Sequence, residues 1–413
     1  MDLFRIATAG SVDDGKSTLI GRLLYETQAL KDDQLEHIEH KSKAKGYDYI
    51  DFSLATDGLL TEREQGITID VSHIFFKTAK RRFIIADAPG HVEYTRNMVT
   101  GASLANAAII LLDARKGVVE QTLRHFLVTN LLAIDHLIFA VNKMDLIAYD
   151  QNIFDNIEKE IRNLLTQQTH VPTSVHFIPI SALKGDNITK ESSLTPWYIG
   201  NSLISIIENL QLQTKKFSQN VLQVQYVIRP KKASHHDYRG FAGKVNSGHF
   251  KTGDPVLLAP SGQKSKIERI EKYGEEIFEV AIGENATFIL SDALDASRGS
   301  TIYSTNASLE STQHVEAHLC WMQKESLAPQ KKYWLQNGVN RVLTQVTAID
   351  AKINISSHTK EPSAFLECND IGQVSLRLAQ PILKTSFSEN KNLGCFILID
   401  PKTNNTAGVG FLK

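Results

Sequence analysis

Residues 10–17, "GSVDDGKS", have the spacing G-x-x-x-x-G-K-[ST], with Gly10, Gly15, Lys16 and Ser17 at the defining positions. The chemistry this suits is phosphate binding. Two glycines let the backbone wrap an anion and aim its N–H groups inward, through Ser11, Val12, Asp13 and Asp14. A helix starting at Lys16 and running through Thr18 adds its positive end. Lys16 brings a point charge to the β and γ phosphates, and the Ser17 hydroxyl suits a Mg²⁺ ion. Gly, Lys and Ser are common, so a chance match is the alternative. A strand before the segment and a helix after it are the context that argues against chance.

Four further segments fit a nucleotide. In "DAPGH", Asp87 ends an apolar run and can hold Mg²⁺ through water, Gly90 can offer its N–H to a γ-phosphate, and His91 then stands beside an attacking water. Taken alone the pentapeptide is also an ordinary Pro-Gly turn. In "NKMD", Asp145 can accept the two N–H donors of a guanine edge, a pair adenine lacks. Asn142 can tie the loop to the ring, and the stem of Lys143 can lie on the base. The segment "SAL", Ser181, Ala182 and Leu183, can present an N–H to the guanine oxygen. Finally "EREQGITID", residues 62–70, holds Thr68, whose hydroxyl suits Mg²⁺ when a γ-phosphate is present. Its alternative is a charged loop leading into an alternating strand. Taken in chain order with the phosphate loop, these signals argue for a Mg²⁺-dependent GTPase, with His91, Lys16 and Thr68 as the catalytic candidates.

Positioning these loops takes a particular scaffold. "FRIATA" (4–9), "RRFIIADA" (81–88), "AAIILLDA" (107–114), "HLIFAVNK" (136–143) and "HFIPIS" (176–181) are continuous apolar runs, expected of strands buried on both faces of a parallel sheet. Helical patterns alternate with them. They include "KSTLIGRLLYET" (16–27), "NIFDNIEKEIRNLL" with Ile153, Ile157, Ile161 and Leu164 on one stripe, and "NSLISIIENL" (201–210). The expected fold is α/β: a phosphate-loop GTPase domain with a mostly parallel sheet and helices on both faces. After "QTKKFSQN" (213–220) the texture becomes short β-type runs broken by Gly, Pro, Asn and Ser, as in small β-barrels. The expected division is a GTPase domain at 1–213 and barrels at 218–305 and 310–413.

The bulk properties of the 413-residue chain narrow the classes. A net charge of -1 gives no global field toward nucleic acid or anionic lipid, so no nucleic-acid partner is expected. The longest apolar run, "AAIILL" at 107–112, is far too short to span a bilayer, and no signal peptide opens the chain. A cytoplasmic protein without a membrane partner is expected. The three cysteines, Cys320, Cys368 and Cys395, lack Cys-x-x-Cys spacing, which disfavours disulfides and zinc and suggests buried or half-buried thiols. His235 and His236 have no partner at ligand spacing, so "RPKKASHHDYRG" (229–240) is expected to be an exposed polar loop.

The set "GSVDDGKST", "EREQGITID", "DAPGH", "NKMD" and "SAL" resembles the translation-factor class of GTPases, and "VNSGHFKTGDPV" (245–256) resembles the second-domain barrel of that class. Within it, "GSVDDGKSTLIGRLLY", "DGLLTEREQGITIDVSHIFF", "HVEYTRNMVTGAS", "LLDARKGVVEQTLRH", "PISALKGDN" and "RGFAGKV" look like the family of GTPase subunits of bacterial ATP sulfurylase, sulfate adenylyltransferase subunit 1. Asp13-Asp14 is telling, because elongation factors of the class carry Asp-His there. A second carboxylate near phosphates should repel them unless it faces away or pairs with a cation. Ala88, where this family usually has Thr, and the longer 229–240 connection are departures. The resemblance implies a smaller partner subunit that binds ATP and sulfate and forms adenylylsulfate and pyrophosphate, while this chain hydrolyses GTP through a GTP/GDP cycle with Mg²⁺. No second phosphate-loop motif follows the barrels, so no fused adenylylsulfate kinase is expected. The competing reading is an elongation-factor-like GTPase that binds tRNA and the ribosome.

Overall fold

The computed structural model describes residues 2–44, 46–55, 71–89, 95–166, 170–212, 219–230, 238–306, 309–354 and 359–413. Thr68, Gly90, His91, His235 and His236 lie outside the described residues. The chain forms two compact units, Met1–Gln213 with Asn354–Thr359, and Thr214–Ile353 with Lys360–Lys413.

In the first unit the apolar runs become strands, β1 (Leu3–Ala9), β3 (Arg82–Asp87), β4 (Ala107–Asp113), β5 (His136–Asn142) and β6 (Ser174–Pro179). An alternating strand, β2 (Ser72–Lys77), forms the edge of this sheet. The sheet order is β2-β3-β1-β4-β5-β6, with β2 antiparallel and the others parallel. Every residue of β4 and β5 is buried, which explains why the sequence shows no alternation there. The helices are α1 (Lys16–Glu26), α2 (Asp32–Ala44), α3 (Thr95–Ala102), α4 (Glu120–Leu131), α5 (Gln151–Leu165) and α6 (Leu203–Asn209). Leu19, Ile20 and Leu23 of α1 enter one core with Phe4 and Ile6 of β1, Ile109 and Leu111 of β4, and Ile206 and Ile207 of α6. The side chain of Asp150 caps α5 by accepting the Asn152 N–H at 2.7 Å, and Phe154, Ile157 and Ile161 form that helix's buried stripe. Phe154 was not part of the expected stripe, while Ile153 and Leu164 are only half-buried.

Register fixes the functional edge. Thr8 lies opposite Asp87, and Asp113 opposite Asn142. The carboxyl ends of β1, β3, β4 and β5 therefore line up, and the chain leaves β1 where the strand order reverses, the usual ligand position in such sheets.

The second unit is antiparallel β structure. β7 (Val221–Ile228), β8 (Gly240–Ser247), β10 (Pro255–Ala259), β11 (Gln263–Lys272), β14 (Asn285–Leu290) and β15 (Thr301–Ser304) run in the order β10-β15-β7-β8-β14-β11, and β11 pairs back to β10; the short strand β12 (Glu275–Ile277) pairs with β11, and β9 (His249–Lys251) pairs with β13 (Glu279–Ala281). The ring is closed, which removes exposed strand edges. β16 (Ser311–Trp321), β17 (Lys332–Asn337), β18 (Asn340–Ile353), β20 (Ile371–Leu383), β21 (Cys395–Ile399) and β22 (Thr406–Leu412) close a second ring, in the order β17-β21-β22-β16-β20-β18 and back to β17, with the two-residue strand β19 (Lys360–Glu361) paired to the end of β18. The rings share a seam. Val221, Ala259 and Tyr303 of the first cluster with Leu393, near β21, and with half-buried Leu383 of the second. Buried Gln223 donates across the seam to Asn337 at 3.2 Å, and Asn337 in turn donates to the carbonyls of Leu393 and Cys395, each at 2.7 Å. Gly338 follows with a φ of 57°, and a Cβ there would lie 2.2 Å from Gln223 Oε1. Cys320 is buried and Cys395 half-buried, but Cys368 is exposed, contrary to expectation. It sits in the tight turn before β20, where Asp370 N–H donates to the Glu367 carbonyl at 3.0 Å and the chain turns outward.

Candidate nucleotide-binding site

The phosphate loop closes on itself before α1 begins. Asp13 takes a φ of 69° and Gly15 one of 93°, and the Leu19 N–H donates to the Gly15 carbonyl at 2.9 Å. A Cβ at Gly15 would come within 2.5 Å of Asn142 Nδ2, so both the φ and the space call for glycine. Lys16 is buried, and its Nζ donates to the carbonyls of Gly10 at 2.8 Å and Ser11 at 3.4 Å. Burial lowers its pKa, against the charges of Asp87, Asp14 and Asp13, so the Asp87 carboxylate lies within electrostatic reach of the ammonium. Asp87 itself is buried and accepts the Thr8 hydroxyl at 3.0 Å.

Asp14 answers the problem its charge poses. The side chain turns inward, 1% exposed, and accepts the Ser11 N–H at 2.6 Å, while its own N–H donates to the Ser11 carbonyl at 3.2 Å. The carboxylate is a strut of the loop. Burial pushes its pKa up, and the Ser11 N–H and the charges of Lys16 and Lys116 oppose that push.

Asn142 joins the phosphate and base sides. Its Nδ2 donates to the Asp14 carbonyl at 2.7 Å, and its Oδ1 accepts the Ala182 N–H at 2.9 Å. Lys143 Nζ donates to the Asp13 carbonyl. Asp145 lies in the 3₁₀ turn Met144–Ile147, half-buried, with neither carboxylate oxygen hydrogen-bonded among the described residues. In "SAL" the structure narrows the expectation. Ser181 N–H donates to the Asp186 carbonyl and Ala182 N–H to Asn142, which leaves the Leu183 N–H as the available donor. Arg22 of α1 donates to the Ala182 carbonyl at 3.2 Å and also to that of Leu183, so the base loop is pinned to the phosphate helix.

Several members of the site lay outside the sequence reading. Asp113 binds Arg115 and Lys143. Tyr149 donates to Asp186 at 2.5 Å, and Ser192 to the other oxygen of Asp186 at 2.7 Å, which fixes the turn after "SAL". His125 of α4 is fully buried, and burial, with the charges of Lys16 and Arg124, pulls its pKa down to about 3. A charged residue closing an apolar strand, as Asp113 does, is the one signal that would have pointed to any of these.

Ser17 in the first turn of α1 and Asp87 at the end of β3 form a set of hard oxygen donors, which fits Mg²⁺. Residues 1–225 match the family model of the Elongation factor Tu GTP binding domain, and residues 314–413 that of the GTP-eEF1A C-terminal domain-like family. Sulfate adenylyltransferase subunit 1 of Saccharophagus degradans is 42% identical over 100% of this chain and 87% of its own length. The chain belongs to the sulfate adenylyltransferase subunit 1 family. That family sits within the translation-factor GTPases, and the Elongation factor Tu match carries guanine-nucleotide binding with it. The subunit 1 of Bacteroides fragilis is also 42% identical, over 100% of the chain and 86% of its own length. The bifunctional enzyme CysN/CysC of Mycobacterium tuberculosis H37Rv is 44% identical, over 99% of the chain and 67% of its own length. Among the described residues no helix is long and apolar enough to cross a membrane.

Proposed function

We propose that this chain is the GTP-hydrolysing subunit of a sulfate adenylyltransferase. A smaller partner subunit binds ATP and sulfate and forms adenylylsulfate and pyrophosphate, and GTP hydrolysis here drives that unfavourable step. Asn142 carries the nucleotide half of this reading, because one buried amide spans the phosphate loop and the base loop at 2.7 and 2.9 Å. The names of the relatives, and their identity along the whole of this chain, support the sulfate half over a role on the ribosome.

The site residues divide the work. The backbone from Gly10 to Gly15 and the start of α1 surround the phosphates, and the Lys16 charge balances them. Asp145 reads the guanine N–H pair, and the Leu183 N–H meets the guanine oxygen. Ser17 and Asp87, the latter through water, are the residues that would hold Mg²⁺ together with Thr68, and the ion would supply neutralisation of phosphate charge. Gly90 donates to the γ-phosphate, and His91 orients the attacking water. The nucleotide chemistry belongs to residues 1–213, followed by barrels at 218–305 and 310–413, the second of them a docking module for the partner. Coupling demands that the GTP and GDP states bind the partner with different affinities.

The test is GTP turnover by the purified chain, with and without the small subunit, ATP and sulfate. Turnover that rises only with all three, while adenylylsulfate passes its ATP-only equilibrium, is the expected result. Turnover indifferent to these additions would end the sulfate reading.

A further inference from the structure

Asp113 ends β4 with its side chain 0% exposed, directly opposite Asn142. One carboxylate oxygen accepts Lys143 Nζ at 3.0 Å and Arg115 Nη2 at 2.6 Å. The other accepts Arg115 Nε and the Arg115 N–H, each at 3.0 Å. Burial favours the neutral acid, but the hydrogen bonds from Arg115 and Lys143 overturn it and hold the carboxyl well below the usual range. The same Lys143 ammonium also donates to the Asp13 carbonyl of the phosphate loop, from a backbone held at a φ of 64°. A free lysine stem samples many rotamers. Here both ends of the side chain are fixed, the backbone by its turn and the ammonium by Asp113 and Asp13.

We propose that Asp113 is a positioning residue for guanine-nucleotide binding, acting through Lys143. It holds the lysine stem as a rigid wall of the base site and its ammonium as a latch on the phosphate loop, and so sets how long the nucleotide stays bound. The proposal rests on the nucleotide-site reading above. The latch holds the Asp13 carbonyl and the Lys143 stem, parts of the site that GTP and GDP share, so both nucleotides lose it equally.

The experiment follows release of fluorescent N-methylanthraniloyl GDP and of the matching non-hydrolysable GTP analogue. It uses the full chain as wild type, Asp113→Asn, Asp113→Ala, Lys143→Met and the corresponding double variants. Removing the charged partner should speed release of both nucleotides roughly tenfold or more. In the Lys143→Met background the Asp113 substitution should add little, the non-additivity expected of groups that act as one unit. A merely structural Asp113 would speed release equally in both backgrounds, and that result overturns the proposal. Unchanged release in Asp113→Asn overturns it as well. Should Asp113→Ala fail to fold, the near-isosteric Asn variant carries the test. Failure of the wild type to bind guanine nucleotide would instead refute the nucleotide site itself.

Discussion

Replacing Asn142 with Ala removes the amide that holds two loops in register. Two hydrogen bonds vanish, to the Asp14 carbonyl at 2.7 Å and from the Ala182 N–H at 2.9 Å. Each contributes about 1 kcal/mol net, and each leaves a backbone group short of a partner at a further ~1 kcal/mol or more when water cannot reach it. Asn142 is 2% exposed, but nearby Lys143 and Asp145 are only half-buried, so water recovers part of the second cost. A loss of about 2–3 kcal/mol follows, which is roughly 30- to 150-fold in affinity. Equilibrium titration with fluorescent GDP measures it, and thermal unfolding of the nucleotide-free chain shows how much of the cost is already present without ligand. Asn142→Asp sharpens the test. It keeps an acceptor for Ala182 but turns a negative oxygen toward the Asp14 carbonyl, so it should bind GDP no better than the Ala variant. GDP affinity within about threefold of wild type in Asn142→Ala would refute the stapling argument.

Asp14→Asn keeps an acceptor for the Ser11 N–H and removes a buried charge. Because the folded-state pKa of Asp14 is raised, the ionised form disfavours folding, so the gain in thermal stability should be full at neutral pH and shrink as the pH falls toward the ordinary Asp value. His125 works in the opposite sense. Its pKa of about 3 means the unfolded chain takes a proton that the folded chain refuses, so stability is complete above pH ~6.5 and falls by up to ~1.4 kcal/mol per unit as the pH drops from there. His125→Gln should flatten that acid limb in pH-dependent denaturant unfolding, and an unchanged slope would show the imidazole is not the group responsible. Asp145→Asn should move preference from GTP to xanthosine triphosphate, and competition binding that still favours GTP would sink its role. His91→Ala should slow single-turnover GTP hydrolysis while leaving GTP affinity nearly intact, and unchanged turnover would remove it from the mechanism.

The sheet was legible because its strands are buried on both faces. The observed β4 and β5 stop one residue short of the apolar runs that predicted them, where Asp113 and Asn142 turn to polar work. The phosphate loop and "NKMD" stood out in the sequence because phosphate and guanine binding call for fixed residue types at fixed spacing. The inward turn of Asp14 was not, since whether a loop carboxylate faces a ligand or a backbone N–H depends on φ angles that composition does not express. Nor was the meeting of Asp113 with Lys143, because parallel pairing of β4 and β5 brings together residues that lie far apart in the chain. α2 escaped notice for a plainer reason. Only Ile38 and Ser42 of it are buried, too little apolar surface to print a stripe.

The seam between the barrels has a consequence for how such chains are assembled in evolution. Gln223 satisfies its amide on Asn337, and the apolar flank formed by Val221 and Tyr303 closes against Leu393. Cut the gene between the rings and the first would display a wet, greasy scar, with an orphaned amide at its centre. The portable cassette is therefore the pair, and a recombination event that grafts one ring without its twin should yield an insoluble product.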